Sequence, residues 1–337
     1  MSYVSVLERI VYTGLASPIG DMEGNLLYSA HTAGTKYINI AKDLSEVNGK
    51  NEEITTRDGH LYAYIVEVTS FASANSFNFL STIPNTWRVR NAFRKFHFAR
   101  QAMFDKAGIT KSEQGKYGQT MRPYFSLAHR ADGELPPKKM DIPGTAAPTV
   151  TDYVGGDWTY TQLASSPTVE ANVEAADLDL PLADTWDIHV LGGHKADPTY
   201  PESAKVWESC GMVHAYNQDR QAPIPDSDGT EYPGSSVEGL NNPLAALMTQ
   251  SLTSGEILDI ATLQEEEKAP YDIAVNGDSQ DAVIASTFYM SASGEASTRR
   301  IGTIVVPAGL LAIQSTGTNG NGLHLNVVGK VLCKDLE

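Results

Sequence analysis

Two histidines stand close together in the segment Ile-His-Val-Leu-Gly-Gly-His and are candidates for metal ligation. His189 and His194 are five residues apart at the end of an apolar run. Imidazole nitrogens are common zinc ligands, but side chains an odd number of positions apart point to opposite faces of a continuous strand. The pair would converge only if Gly192 and Gly193 bend the chain, and no third ligand of matching spacing follows. The spacing therefore favours structural histidines over a metal pair.

A second candidate is an acidic segment in which carboxylates surround a glycine. Asp226, Asp228 and Glu231 flank Gly229, and oxygen ligands spaced around a glycine turn are typical of calcium loops. The segment lacks the full twelve-residue pattern, so a solvated acidic loop is the preferred interpretation. Calcium at Asp226, Asp228 and Glu231 stays open as the alternative.

The common signatures of catalysis are missing from the sequence. It contains no Gly-x-Ser-x-Gly, Walker loop, His-Glu-x-x-His or Cys-x-x-Cys motif. The glycines of residues 317–322 lie between two apolar runs with no helix after them, which indicates a hairpin loop and not a phosphate site. The two cysteines, Cys210 and Cys333, are too few for a disulfide framework. We expect no enzymatic activity.

The elements that would position these residues read mostly as short strands. Segments rich in β-branched and aromatic residues alternate with Gly, Pro, Asn and Asp. They are residues 6–13, 36–40, 60–71, 77–81, 123–128, 158–163, 186–191, 205–216, 282–291, 300–306, 310–314 and 323–333. So many strands with almost no regular helix between them predict an all-β protein built from antiparallel sandwiches. Residues 60–71 are apolar on both faces, which predicts a central strand.

A basic helix is predicted over residues 85–107. Asn85 or Thr86 can cap its start, and Gly108 can end it. An apolar stripe recurs every three or four residues; it consists of Val89, Phe93, Phe96, Ala99, Met103 and Ala107. The opposite face is basic and predicts an interface with another molecule; its members are Arg88, Arg94, Lys95 and Arg100.

Composition divides the chain into two predicted domains. Residues 133–156 are dense in Pro, Gly and Thr, which is typical of a connection. We therefore expect one domain over residues 1–150, with the basic helix, and a second over residues 151–337. The second domain carries the acidic loops and a predicted helix over residues 242–265, where Pro243 suits the first turn.

The charge of the chain limits its partners. The 337 residues carry a net charge of -16, and 41% of them are hydrophobic, so the chain can form a core but is too acidic to coat nucleic acid. Residues 81–140 hold twelve Lys and Arg against four acidic residues, a net +8, whereas residues 141–290 carry a net -21. Two interpretations stay open: two solvated surfaces, or the basic face of one copy meeting the acidic face of another. No signal peptide or membrane span is expected from the sequence.

These features together resemble a known family. Two β-rich halves, each with a helix inserted late among its strands, and the closing run from Ile301 to Ile313 are similar to the double jelly-roll major capsid proteins of tailless icosahedral viruses. The acidic chain without a basic N-terminal arm most resembles the coat proteins of membrane-containing phages.

The resemblance implies a structural protein of the virion capsid, synthesised in the host cytoplasm. It implies two jelly-roll barrels with short inserted helices, forming a homotrimer that tiles an icosahedral shell. The implied partners are neighbouring capsid trimers, penton or spike proteins and the surface of an inner membrane, with no sequence-specific contact to nucleic acid. No cofactor other than the open calcium is implied.

A carbohydrate-binding or glycan-cleaving β-sandwich is the competing interpretation. Five aromatic residues would form its stacking platform beside the acidic loop; they are Tyr153, Trp158, Tyr160, Trp186 and Trp207. Aromatic residues in strands more often belong to the core.

Overall fold

The computed structural model describes residues 17–18, 22–31, 34–72, 76–118, 120–141, 149–153, 158–165, 184–196, 207–220, 282–290, 297–316 and 321–336. Residues 1–216 and 274–337 form one compact unit, and residues 217–273 form another. Within the second unit the described residues are 217–220, at the end of a helix. The architecture below is that of the first unit.

Strands dominate the first unit, as the sequence predicts. The strands are β1 Ser17–Pro18, β2 Asn25–His31, β3 Gly34–Asn39, β4 Tyr62–Ala72, β5 Ser76–Thr82, β6 Lys138–Asp141, β7 Thr149–Asp152, β8 Gln162–Ser165, β9 Asp184–His189, β10 Lys195–Ala196, β11 Trp207–Gly211, β12 Val283–Met290, β13 Ser297–Pro307, β14 Leu310–Ser315 and β15 Asn321–Leu332. The helices are α1 Ile40–Asn48, α2 Trp87–Lys106, α3 Gly115–Gly118, α4 Leu127–Asp132 and α5 Met212–Arg220, and a 3-10 turn, Cys333–Leu336, follows β15.

Eight strands form two antiparallel four-stranded layers with a defined order. In one sheet β2 pairs with β15, β15 with β4, and β4 with β13, while the short β1 also pairs with β15. In the other sheet the order is β12, β5, β14, β3. The consecutive pairs β2/β3, β4/β5, β12/β13 and β14/β15 each place one strand in each sheet. This is the strand order of a jelly roll, two interlocked Greek keys.

The core lies on the inner faces of these two sheets. Strand β4 is buried along most of its length because β15 and β13 flank it on both sides, which confirms the predicted central strand. Its Tyr64 and Ile65 are fully buried, as are Leu325 of β15 and Leu80 of β5. The turn from β13 to β14 passes so close to this core that a Cβ on Gly309 would lie 3.0 Å from the Tyr64 ring.

The jelly roll is assembled from both ends of the chain. Strands of residues 283–332 pair with strands of residues 17–82, and about 200 residues are inserted between β5 and β12. The sheets therefore cross the boundary predicted near residue 150. Residues 149–152, within the predicted connection, instead form strand β7, which pairs with β6.

The insertion carries a smaller sheet of the order β10, β11, β9, β8, in which β9 and β11 are parallel. A second jelly roll is not apparent among the described residues of the insertion, and the predicted helix over residues 242–265 and the predicted strand over 6–13 lie outside them.

Two predicted strands are partly helical. In residues 123–128, Tyr124 makes a single bridge to His189, and Ser126 then caps α4 by accepting a hydrogen bond from the His129 amide at 3.4 Å. In residues 205–216 the strand ends at Gly211 and α5 begins at Met212. Periodicity over six to twelve residues does not separate a strand from a strand followed by one helical turn.

Candidate functional site

The basic helix forms where the sequence predicts it. Thr86 is the N-cap, its hydroxyl accepting a hydrogen bond from the Val89 amide at 3.3 Å, and Gly108 follows the last turn at a φ of 74°. Val89, Phe93 and Phe96 of the apolar stripe are buried.

The C-terminal half of that stripe is not part of the core. Ala99 and Ala107 are exposed and Met103 is half-buried. The backbone at Gly59 covers the helix near His97, where a Cβ on Gly59 would lie 2.9 Å from the His97 side chain. The prediction that the whole stripe is buried is therefore wrong, because only its N-terminal half packs into the core.

The four predicted interface residues divide into two pairs. Arg94 and Lys95 are exposed to solvent. Arg88 is only 9% exposed and packs over the Trp87 ring at 5.4 Å. Arg100 donates to the carbonyl oxygens of Gly118 and Thr120, at 2.6 and 2.8 Å.

The partial burial of Arg100 changes its pKa. Loss of solvent, with a smaller contribution from the nearby charge of Arg122, lowers the pKa of Arg100 to about 10. Arg100 thus ties the helix to the segment after it, and the solvent-facing part of the predicted interface is Arg94 and Lys95.

A polar cluster joins the jelly roll to residues 129–135 of the insertion. Lys42 of α1 donates to Oε2 of Glu134 at 2.5 Å, and Glu134 accepts a second hydrogen bond from His129 at 2.9 Å. The Leu135 amide also donates to the Tyr37 carbonyl of β3 at 2.8 Å. Side-chain and backbone bonds therefore hold residues 134–135 against the second sheet.

The hydrogen bonds of His129 define its tautomer. Its Nδ1 accepts from the Phe125 amide at 2.9 Å, so the proton of a neutral ring sits on Nε2 and is donated to Glu134. Glu134 thus accepts from the His129 ring on one oxygen and pairs with the Lys42 ammonium on the other.

The charges of this cluster shift the pKa of both partners. Burial alone would raise the pKa of Glu134, but its interactions with His129, and after them those with Lys42, together lower it. Burial alone would lower the pKa of Lys42, but Glu134, Glu46 and Asp43 together raise it. Both groups are therefore held ionised at neutral pH.

Both histidines considered for metal binding make hydrogen bonds to other groups of the protein. His189 is fully buried, with Nδ1 2.7 Å from the Ser209 hydroxyl and Nε2 2.8 Å from the Gly193 carbonyl oxygen. His194 accepts from the Gly211 amide at 3.1 Å. Burial lowers the pKa of His189 to about 4, so this ring stays neutral. Its hydrogen bonds join Ser209 to the loop at Gly193.

The acidic loop of Asp226, Asp228 and Glu231 lies outside the described residues. Within the described part of the chain, His, Cys, Asp and Glu do not form a group of three able to hold a metal ion. Calcium binding therefore stays a prediction.

The five aromatic residues considered as a sugar-stacking platform have different surroundings in the structure. Trp158 packs beneath Arg122 at 4.8 Å, Trp207 against His194 at 4.7 Å, and Tyr160 stacks on Tyr124 at 3.8 Å. Tyr153 lies beneath Lys139 at 5.6 Å and Trp186 is half-buried. The four rings with a named contact each pack against a different side chain.

An ionic cluster within the insertion was missed at the sequence level. Arg130 of α4 donates to Asp187 of β9 and to Glu208 of β11, each at 2.5 Å, and Lys195 contacts Glu208 at 2.9 Å. Asp187 and Glu208 are 57 and 78 positions from Arg130, so no local pattern links them. The cluster fastens α4 to the smaller sheet.

Large apolar side chains are exposed at several separate places on the surface. Those more than a third exposed occur on strands, on α2 and in the turn after α2; they are Leu27, Phe71, Phe77, Trp87, Phe98, Ile109, Met140, Val150, Val283, Ile284 and Val328. None of the described helices is long and apolar enough to cross a membrane.

Comparisons with protein-family models, with curated proteins and with solved structures return no match to this chain.

Proposed function

We propose that this chain is a viral structural protein, a major capsid protein whose copies associate into an icosahedral shell. The observation that carries the proposal is the jelly-roll order of eight strands, β2-β15-β4-β13 and β12-β5-β14-β3. Viral capsid proteins are among the main users of this architecture, although lectins and cupins share it. The site features must therefore decide between these classes.

Two features favour a coat protein over a lectin. Three of the aromatic residues considered for sugar stacking pack against separate partners, namely Trp158 against Arg122, Tyr160 against Tyr124 and Trp207 against His194. Large exposed apolar residues instead occur at several places, on Phe77, Phe98, Met140 and Ile284 among others. A shell subunit has several different neighbours, and exposed apolar residues at several places can supply contacts to them.

The buried polar clusters fit the same role. Lys42, Glu134 and His129 join the insertion to the jelly roll, and both oxygens of Glu134 accept hydrogen bonds within this joint. Such joints keep a subunit in one shape, which repeated contacts require.

Three finer points of this proposal come from the family resemblance. Copies form trimers, the trimers contact one another and penton or spike proteins, and the exposed Arg94 and Lys95 face a neighbouring copy or an inner membrane. The second jelly roll of a double barrel would have to lie in the insertion between β5 and β12 and include residues outside the described part.

Sedimentation velocity and a glycan array test the class. The capsid proposal predicts concentration-dependent oligomers and no sugar binding, with or without a chelator. A monomer that binds a glycan and loses it in chelator would instead identify the lectin alternative.

A further inference from the structure

The strands β6 and β7 form a two-stranded sheet in the insertion, after helix α4. Met140 pairs with Val150, and Lys138 pairs with Asp152. The sheet is anchored at one end, where Pro137 bridges to Tyr28 of β2 and the Tyr153 amide donates to the Pro137 carbonyl at 3.0 Å. Alternation along the strands places Lys138, Met140, Val150 and Asp152 on one face.

That face is apolar and open. Met140 is 63% exposed and Val150 60%, the highest values among the large apolar side chains of the described residues. Two-stranded sheets are marginal in water unless a face is covered, and adjacent exposed apolar residues mark contact sites. In one copy this face therefore exposes two adjacent apolar side chains to solvent.

The charged residues of this face indicate which partner covers it. Lys138 and Asp152 form an ion pair beside Met140 and Val150, in which the Lys138 side chain is 16% exposed and the Asp152 side chain 47%. The face thus carries one positive and one negative group at equivalent positions on its two strands. A two-fold axis parallel to the strands would place Met140 opposite Val150 and Lys138 opposite Asp152 of a second copy, and the reverse pairs would form at the same time.

We propose that this face, defined by Lys138, Met140, Val150 and Asp152, is a self-complementary contact with the same face of a second copy of the chain. The inference rests on the proposed function, because it names one of the contacts by which copies associate. The apolar pair supplies most of the affinity, and the charges set the orientation.

Charge-reversed variants of the full chain test the contact by mixing. Lys138→Asp alone and Asp152→Lys alone each place like charges opposite one another, so each should associate roughly tenfold more weakly than the wild type. An equimolar mixture restores opposite charges between copies while the charges within each copy stay mismatched. The mixture should therefore associate within about threefold of the wild type. Lys139→Asp, on the other face of the same strand, is the matched control and should leave association unchanged.

A second variant removes the apolar contact. Met140→Asp with Val150→Asp should keep the circular dichroism spectrum of the wild type, because both side chains are exposed, and should weaken association more than tenfold. If the wild type associates and this folded variant associates equally well, or if mixing brings no recovery, the inference is wrong while the proposed function stands. If the wild type is monomeric at every concentration, the proposed function fails with it.

Discussion

The hydroxyl of Tyr28 on β2 donates a hydrogen bond to Oδ2 of Asp43 on α1 across 2.5 Å, and both side chains are buried. Burial raises the pKa of Asp43 well above its usual value, although the Tyr28 hydrogen bond and the Lys42 charge oppose the shift. The first long strand of the jelly roll and its first helix are thus joined through a carboxyl that favours the protonated form.

Asp43→Asn should make the protein more stable at alkaline pH. A carboxyl whose pKa is raised in the folded state contributes stability below its unfolded pKa and loses it as pH rises through the folded pKa. The oxygen of the introduced amide can still accept from Tyr28 without a buried charge. We expect a gain of about 1 to 3 kcal/mol in the free energy of unfolding at pH 8 and little change at pH 4, measured by urea denaturation. A loss of stability at pH 8 that is absent at pH 4 would show that the ionised carboxylate is required.

Glu134→Gln should have the opposite pH dependence. A carboxyl with a lowered pKa contributes stability above its unfolded pKa and loses it as pH falls through the folded pKa. The variant leaves Lys42 without its closest anion, and because the Lys42 side chain is 26% exposed, we expect a cost of about 2 kcal/mol at pH 7. The cost should shrink as pH falls below about 4.

Glu46→Gln is the matched control, since Glu46 lies 3.8 Å from the same lysine and should cost less than about 1 kcal/mol. If the two variants are equally destabilised at pH 7, Glu134 has no special part in joining the insertion to the jelly roll.

Two phenylalanines of the same helix test which face of α2 packs. Phe93 is fully buried and Phe98 is 53% exposed. Phe93→Ala should lower the free energy of unfolding by about 3 to 5 kcal/mol, through lost burial and the cavity it leaves. Phe98→Ala should stay within about 0.5 kcal/mol of the wild type. Thermal denaturation of both variants measures the difference, and a larger loss at Phe98 would reverse the assigned faces.

Gly211→Ala should disrupt the smaller sheet of the insertion. A Cβ there would lie 2.1 Å from the Gly192 carbonyl oxygen and 3.3 Å from Nε2 of His189, so the backbone must shift and the His189 hydrogen bonds with it. Gly322→Ala is the control, because its Cβ would meet its nearest atom at an ordinary 3.5 Å. Limited proteolysis should cleave the Gly211 variant faster than the Gly322 variant. Equal cleavage rates would mean that the loop at Gly192 moves to accommodate the added Cβ.

Arg94→Glu with Lys95→Glu should impair association without unfolding the subunit, because both side chains face solvent on α2. Sedimentation and circular dichroism of the same sample separate the two effects. Unfolding by this variant would show that the basic residues support the fold and not an interface.

Local features of the fold could be predicted from the sequence, and long-range pairings could not. Helix α2 was predictable because Thr86 and Gly108 mark its ends, and β4 because both of its faces are apolar. The pairing of β4 with β15 joins residues as far apart as Tyr62 and Leu332, and no periodicity encodes which strands meet. The all-β class was therefore confirmed, while the assembly of one jelly roll from both chain ends emerges only from the structure.

The candidate site divides in the same way. The sequence correctly placed Arg94 and Lys95 on an exposed face but gave no signal that Arg100 turns inward to the carbonyls of Gly118 and Thr120. The apolar stripe from Val89 to Ala107 indicated which face of α2 is apolar. How much of that face is buried depends on the segments that pack over the helix, and the stripe does not show them. Glu134 was one of 41 acidic residues, and only its contacts with Lys42 and His129 distinguish it.

Electron microscopy of the purified, concentrated protein in negative stain tests the capsid proposal most directly. The proposal predicts closed shells, or flat arrays of repeating oligomers, that grow with protein concentration and weaken with salt. A uniform field of single monomeric particles at every concentration and ionic strength would contradict it.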